Sequence, residues 1–346
     1  MALTQIRRDE LIPADRHYFA SCHASTLVTL PDDGLLAAWF AGEKEGSGDT
    51  AIWLARYRQG GWSAPRRVLA QPGLAHWNPV LHRQDKRLWL FYKTGPDVHR
   101  WLTRVAVSDD DGVSWSPPRA LVAGDLQPRG PVKNKLLVMS NGEWLAGASV
   151  EDDRYWDAFV DISADWGRQW RRVAVPLRHI APDAAPPPSL WQGLQQNALW
   201  ENDLSRVFQW DGVIQPTAWE SRPGHIHLLM RSTRGCLYRS DSADYGRRWS
   251  PARPTELANN NSGIDLAHLG DGRLVLACNP IAGNWSRRYP LSLIASADNG
   301  MTWRHLGDLE NEAGEFSYPA IIAGRNSLHI TYTCNRTNII YQNVAL

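Results

Sequence analysis

Four aspartates stand in one repeated setting. The stretches "SDDDGVSW" (108–115), "SADWGRQW" (163–170), "SADYGRRW" (242–249) and "SADNGMTW" (296–303) all fit S-x-D-x-G-x-x-W, so Asp110, Asp165, Asp244 and Asp298 occupy equivalent places. An aspartate can act as an acid, a base or a metal ligand, and the run Asp109 to Asp111 in the first copy invites a calcium assignment. That run lacks the ligand spacing and terminal glutamate of a calcium loop, so no metal is expected there. The companions of the aspartate indicate a structural part instead. In a turn between antiparallel strands, Ser and Asp side chains hydrogen-bond nearby backbone, Gly takes a positive φ that other residues resist, and Trp plugs the space beside the turn. The four cysteines, Cys22, Cys236, Cys278 and Cys334, are far apart and form no C-x-x-C pair. Neither a zinc site nor a disulfide framework follows from them, and no cofactor is expected.

The elements that would carry these boxes are strands. Measured from Trp to Trp, the boxes end at 115, 170, 249 and 303, a degenerate copy "YRQGGW" ends at Trp62, and the gaps are 53, 55, 79 and 54 residues. A module of this length suits one four-stranded blade with its loops. Between boxes lie short apolar or alternating runs such as "RLWLFYK" (87–93), "HIHLLMRS" (225–232) and "GRLVLACN" (272–279), bounded by turn residues. The long gap holds a Pro-rich stretch, read as an insertion at about 176–204. A net charge of +1, from 37 basic and 36 acidic residues without a basic run, gives no support to nucleic-acid binding. Nor does any stretch have the length of a membrane span, and the first residues lack the apolar core of a signal peptide, so a cytoplasmic protein is expected.

The repeated box resembles the Asp box, or bacterial neuraminidase repeat, of the sialidase superfamily, and the resemblance covers the chain almost end to end. It implies an all-β fold: a six-bladed β-propeller of sialidase type, each blade a four-stranded antiparallel sheet, in a single domain over 1–346. Five blades are marked by the Trp series. The sixth would use "SLHITYTCNRTNIIY" (327–341) together with the N-terminal segment.

The resemblance also implies a site: an Arg triad for a substrate carboxylate, a Tyr nucleophile activated by Glu, and an Asp acid/base. Asp49 in "AGEKEGSGDTAIWLAR" (41–56) matches the catalytic Asp, and Glu43, with Lys44 and Glu45, belongs to the same loop. Arg231 and Arg288 match the second and third triad arginines, and Tyr318 in "EFSYPAII" (315–322) matches the nucleophile. Two positions depart from the pattern. His23 stands where the first triad Arg would be, and can bind a carboxylate when protonated or act as acid or base. In place of the Glu, "DGVIQPTAWE" (211–220) offers Val213 and Gln215, with Glu220 nearby but out of register. An unassisted phenol, with a pKa near about 10, is a poor nucleophile. Lys133, Asn134, Asn261, Ser262 and Asp265 lie in polar inter-strand segments and are candidates for hydroxyl or carboxylate recognition, although "NNNSG" (259–263) also reads as an ordinary turn.

The expected function is an exo-acting glycosidase that removes a terminal acidic sugar (sialic, related ulosonic or uronic acid), with an acidic glycan as partner. A polysaccharide lyase acting on uronate, or a non-catalytic binding propeller, are the competing expectations. The oligomeric state is left open by the sequence.

Overall fold

The computed structural model describes residues 3–345 except Arg16, Asp32, 182, 183, 185–187, 189 and 191–202. Most of the expected insertion at 176–204 therefore lies outside the described residues. The chain folds into two compact units, one formed by Met1–Lys135 and Tyr318–Leu346, the other by Leu136–Ser317.

The first unit is built from antiparallel sheets. Ser21–Thr29, Leu35–Gly42 and Ala51–Arg58 pair in sequence, and the last strand also pairs with Gly61–Trp62 and Arg66–Leu69. Ala75–Gln84, Arg87–Gly95, Leu102–Ser108 and Arg119–Ala120 form a second sheet. In the third, Phe316–Ala323, Ser327–Cys334 and Asn338–Ala345 are joined by the N-terminal strand Thr4–Glu10, which pairs antiparallel with the C-terminal one from Thr4 opposite Ala345 to Glu10 opposite Ile340. Leu35–Gly42 is buried along its whole length, which explains why its text "LLAAWFAG" is apolar without alternation. Leu27, Leu35, Trp39, Ala55, Ile339 and Tyr341 share one core cluster.

In the second unit, Leu137–Val138, Trp144–Glu151, Tyr155–Ser163 and Arg171–Ala174 form one antiparallel set. Asp211–Arg222, His225–Ser232, Cys236–Ser242 and Arg253–Ala258 form another. A short parallel pairing, Tyr155 with Asp211 and Trp156 with Gly212, merges the two into one eight-stranded sheet. Asp265–His268, Leu274–Cys278, Leu291–Ser296 and Arg304–Glu310 make a separate four-stranded sheet. A helical segment, Leu204–Val207, precedes Asp211–Arg222. Short, charged edge strands such as Arg171–Ala174 discourage further pairing.

The boxes are the hairpin staples their composition predicts. In each, the Ser hydroxyl donates to the Asp carboxylate, at 2.7, 2.9, 2.9 and 2.7 Å for Asp110, Asp165, Asp244 and Asp298. The same Ser oxygen accepts from the Gly backbone N–H at 2.8 to 2.9 Å, in Gly112, Gly167, Gly246 and Gly300. The carboxylate also accepts a backbone N–H four residues on, for example Ser114 at 2.9 Å and Thr302 at 2.9 Å. These bonds favour the ionised form. Hydrogen bonds from the Ser114 side chain hold the Asp110 carboxyl far below its usual range, and those from Thr302 do the same for Asp298. One detail is absent from the expected motif. The residue before each Gly is also left-handed: Asp111, Trp166, Tyr245 and Asn299 have φ of 58, 58, 56 and 59°. Neighbouring sheets fasten onto the boxes, with Arg66 donating to the Gly112 carbonyl at 2.8 Å and Arg239 to that of Asn299 at 2.8 Å.

Candidate functional site

A second recurrent feature lies near the starts of strands, where non-glycine residues adopt positive φ. Six of these bear on the candidate site: in the first unit Ala24 (55°), Asn78 (41°), Lys133 (65°) and Tyr318 (54°), and in the second Gln215 (54°) and Asn261 (60°), whereas Asp33, Asp85 and Arg336 have positive φ just ahead of the strands they precede. Register shifts between His23 and Thr26, Trp77 and Val80, and Ile214 and Thr217 show that three of them sit in bulges. A left-handed non-glycine residue costs about 1–3 kcal/mol and persists where the surroundings over-determine it, often at sites of function. Four of the six, Lys133, Gln215, Asn261 and Tyr318, fall on segments already singled out by chemistry.

In the first unit, His23 is buried on Ser21–Thr29, with Nδ1 2.9 Å from the Thr333 hydroxyl. Its ring centre lies 4.1 Å from that of Tyr318, with the planes inclined at 46°. The bulge after His23 places Ala24, whose N–H donates to the same Thr333 oxygen at 3.2 Å, in the left-handed region. The Thr333 hydroxyl on Ser327–Cys334 thus fixes the His23 segment, and Tyr318 meets the ring of His23 by direct contact. Asp49 is exposed, and its Oδ2 accepts the Glu43 backbone N–H at 2.9 Å, closing the loop that also carries the exposed Glu43 side chain. That loop springs from Gly42, opposite Ser21 on the strand of His23. A Cβ at Gly42 would meet the Thr50 backbone at 2.8 Å, so only glycine lets the loop return this closely. Glu45 is ion-paired to Arg336 at 2.6 Å. Lys133 is buried and donates to the Asn134 carboxamide oxygen at 3.0 Å and to the Pro319 carbonyl, which ties it to the residue after Tyr318.

In the second unit, Arg231 is buried at 2% exposure on His225–Ser232. Its Nε donates to Asn261 Oδ1 at 2.8 Å and Nη1 to Gln215 Oε1 at 3.2 Å. Gln215, from the strand where a Glu was sought, thus meets the arginine with a neutral amide. Asn261 continues the chain of bonds to Asn284 at 2.7 Å. "NNNSG" is therefore no solvated turn: Asn259, Asn260, Asn261 and Ser262 are all buried, and Asn260 donates to the Arg287 carbonyl at 2.7 Å. Asp265 is buried and accepts from Thr217 at 3.1 Å and from the Leu266 backbone at 2.9 Å. Arg288 is ion-paired to Glu315 at 2.7 Å and donates to Ser317 at 3.2 Å. Glu220 clamps a hairpin, accepting from Ser140 and from Gly224 at 2.8 Å each.

Glu315 escaped the sequence reading, as did Thr333 and His76. His76 is buried, stacks on Tyr92 with ring centres 5.6 Å apart, and points Nδ1 at the Leu74 carbonyl at 2.9 Å. Burial holds its pKa below the usual histidine value. Among the described residues, no group of three or more His, Cys, Asp or Glu side chains is arranged to hold a metal ion. No helix among them is long and apolar enough to cross a membrane.

Sheets stapled by Asp boxes define a class, and comparison with known proteins gives it a family. Residues 33–330 match the BNR repeat-like domain, and the chain belongs to that family, within the sialidase-like superfamily. Among solved structures, the Hadza microbial sialidase Hz136 is similar at 19% identity and a TM-score of 0.71, over 95% of this chain and 66% of that one. A protein of unknown function from Dyadobacter fermentans is similar at 13% identity and a TM-score of 0.72, over 100% and 99%. Trypanosoma rangeli sialidase is similar at 13% identity and a TM-score of 0.70, over 93% and 54%. The chain thus spans less than two thirds of the length of either sialidase. At these identities the likeness concerns the fold. No protein of curated function matches the sequence.

Proposed function

We propose that the protein is an exo-acting glycosidase that releases a terminal acidic sugar, of the sialic, related ulosonic or uronic type, from an acidic glycan. The observation that carries this reading is Arg231, a buried guanidinium held in a fixed orientation by two neutral amide oxygens. Such a preset fork suits bidentate recognition of a carboxylate. Arg288 is the second carboxylate-binding arginine, steadied by Glu315. Tyr318 is the nucleophile or stabilises the oxocarbenium-like transition state, and the exposed Asp49 is the acid/base. His23 assists Tyr318 in place of the missing glutamate. The sixfold count of four-stranded blades belongs to the same proposal.

A second reading is favoured by one observation, the tilted 4.1 Å ring contact between His23 and Tyr318. A histidine base beside a tyrosine is also what a lyase needs to take the proton next to a uronate carboxylate and protonate the leaving oxygen. Incubation with a panel of fluorogenic and natural sialosides, ulosonides and uronides separates the two. A hydrolase releases a saturated acidic sugar, with activity lost in both Asp49→Ala and Tyr318→Phe. A lyase leaves an unsaturated product that absorbs in the ultraviolet. Turnover untouched by both substitutions would overturn the site assignment.

A further inference from the structure

A group of side chains in the second unit, unused by the proposed glycosidase chemistry, has the layout of a serine hydrolase relay. Ser221 ends Asp211–Arg222 and is exposed; its Oγ lies 2.7 Å from His227 Nε2. His227 is buried at the start of His225–Ser232, and its Nδ1 lies 2.6 Å from Asp241 Oδ1. The three residues come from three consecutive strands at one hairpin end. Such groups are recognised by geometry and by the part each plays, independent of fold or sequence order.

The hydrogen bonds around the ring fix which nitrogen carries the proton. The Trp219 indole N–H can only donate, and it does so to Asn299 Oδ1 at 2.7 Å. That contact turns the Asn299 amide so that its Nδ2 donates toward His227 Nε2, at 3.2 Å. Nε2 must therefore present its lone pair, and the ring proton sits on Nδ1. On the other side, Asp241 is an acceptor only. Although burial alone would raise its pKa, bonds from His227 and Arg239 hold it down to about 2. A 2.6 Å approach of an ionised carboxylate to Nδ1 requires a proton between them. Arg239 also reaches toward Nδ1, at 3.0 Å, and its Nε donates to Asp241 Oδ1 at 2.8 Å; Arg253 reaches Asp241 Oδ2 at 3.1 Å. Arg239 can only donate, so its contact competes for the Nδ1 lone pair; the shorter 2.6 Å contact with Asp241 decides for a proton on Nδ1, and the guanidinium groups anchor the carboxylate. Trp219 stacks on the imidazole with ring centres 5.0 Å apart and fixes its plane. The result is the tautomer that a general base for a serine hydroxyl needs.

We infer that Ser221, His227 and Asp241 form a second catalytic site that cleaves short-chain carboxylic esters of polar alcohols by acyl transfer through Ser221. The exposed charge of Arg222 beside Ser221 suits a polar alcohol better than a lipid. Ser221 Oγ bonds to the ester carbonyl carbon as its proton passes to His227 Nε2. The carbon–oxygen bond to the alcohol then breaks, and the alcohol leaves with that proton. Water, deprotonated by the same nitrogen, attacks the acyl-Ser221 ester, which releases the carboxylic acid and restores the hydroxyl. Arg222, exposed and next to Ser221 in the chain, is the cation assigned to the developing oxyanion.

This inference stands apart from the glycosidase proposal, and its test reads the two separately. The full chain is treated with a fluorophosphonate, the modified peptide is located by mass spectrometry, and 4-nitrophenyl acetate hydrolysis is followed in parallel. Stoichiometric labelling of Ser221 is expected, with ester hydrolysis falling about 10³-fold in Ser221→Ala and in His227→Gln. Acidic-sugar release should be unchanged in Ser221→Ala. Because His227→Gln alters a buried ring, Ser221→Cys provides a check that leaves the relay intact. Its thiol should alkylate with iodoacetamide at least about 10-fold faster at pH 6.5 than an ordinary exposed cysteine. Absence of label on Ser221, or alkylation of Ser221→Cys at the ordinary rate, would overturn the inference.

Discussion

The two units present their functional side chains in opposite styles. In the first, two rings meet directly, His23 against Tyr318, with Thr333 bonded to His23, and the charged candidates Lys133 and Asp49 are bound to backbone and amide groups. In the second the candidate groups are buried charges: Arg231 fixed by amides and Arg288 by Glu315. The difference follows from what each sheet can satisfy. An imidazole packed against a phenol can be directed by a single hydroxyl, whereas a buried guanidinium has five N–H donors and needs several oxygens around it. The second unit supplies these from Gln215, Asn261 and Glu315, residues on three different segments.

If the ring pair performs the chemistry, the largest effect should come from Tyr318→Phe. A drop of about 10³-fold in kcat/KM is expected with the unfolding transition unchanged, measured on whichever acidic glycoside turns over. A change confined to KM would move the chemistry away from the first unit. If the guanidinium groups bind the carboxylate, Arg231→Lys keeps the charge but loses the fork. KM should rise by about 10²-fold with kcat much less affected, and a neutral analogue of the substrate should show no such penalty.

Acid should also distinguish the units. Burial lowers the pKa of His82 in the first unit to about 4, and those of His76 and His329 fall in the same direction. A histidine that protonates more readily when unfolded favours the folded state fully only above its unfolded pKa of about 6.5, and stability is lost as pH falls from there toward 4. In the second unit, Asp241 is held at about 2. Its contribution is complete above the ordinary aspartate value near about 3.9 and is lost only as pH falls from there toward 2. In the second unit His268 is also shifted down by burial, so hydrogen exchange at pH 5 should show the first unit, with three such histidines, weakened by about 2 kcal/mol and the second weakened less, and His82→Phe should remove much of the difference. Equal loss in both units would break the comparison.

The smallest effect concerns the staples. Ser242→Ala removes a buried hydroxyl that accepts from Gly246 at 2.9 Å and donates to Asp244 at 2.9 Å. It should cost about 1–2 kcal/mol in urea unfolding without changing activity.

Much of this molecule was legible along the chain, for a definite reason. Each Asp box closes within a few residues, as in Ser296 to Thr302, so the residues that bond one another are read together. The strands also follow from the text, because a fully buried run such as Leu35–Gly42 must be apolar throughout. Tyr318, Arg231 and Arg288 are proposed through a resemblance that rests on their order around the repeats. What the chain did not disclose was who meets whom. His23 meets Thr333 across 310 residues, Arg288 meets Glu315 across 27, and Gln215 stands before Arg231 where a glutamate was sought. Ser221, His227 and Asp241 lie in unremarked text, and only the pairing of three strands makes them neighbours. Composition and period determined the sheets and their staples, since those forces act between residues close in sequence. Bulges, register and burial decided the partners of each reactive side chain, since those depend on how distant strands align.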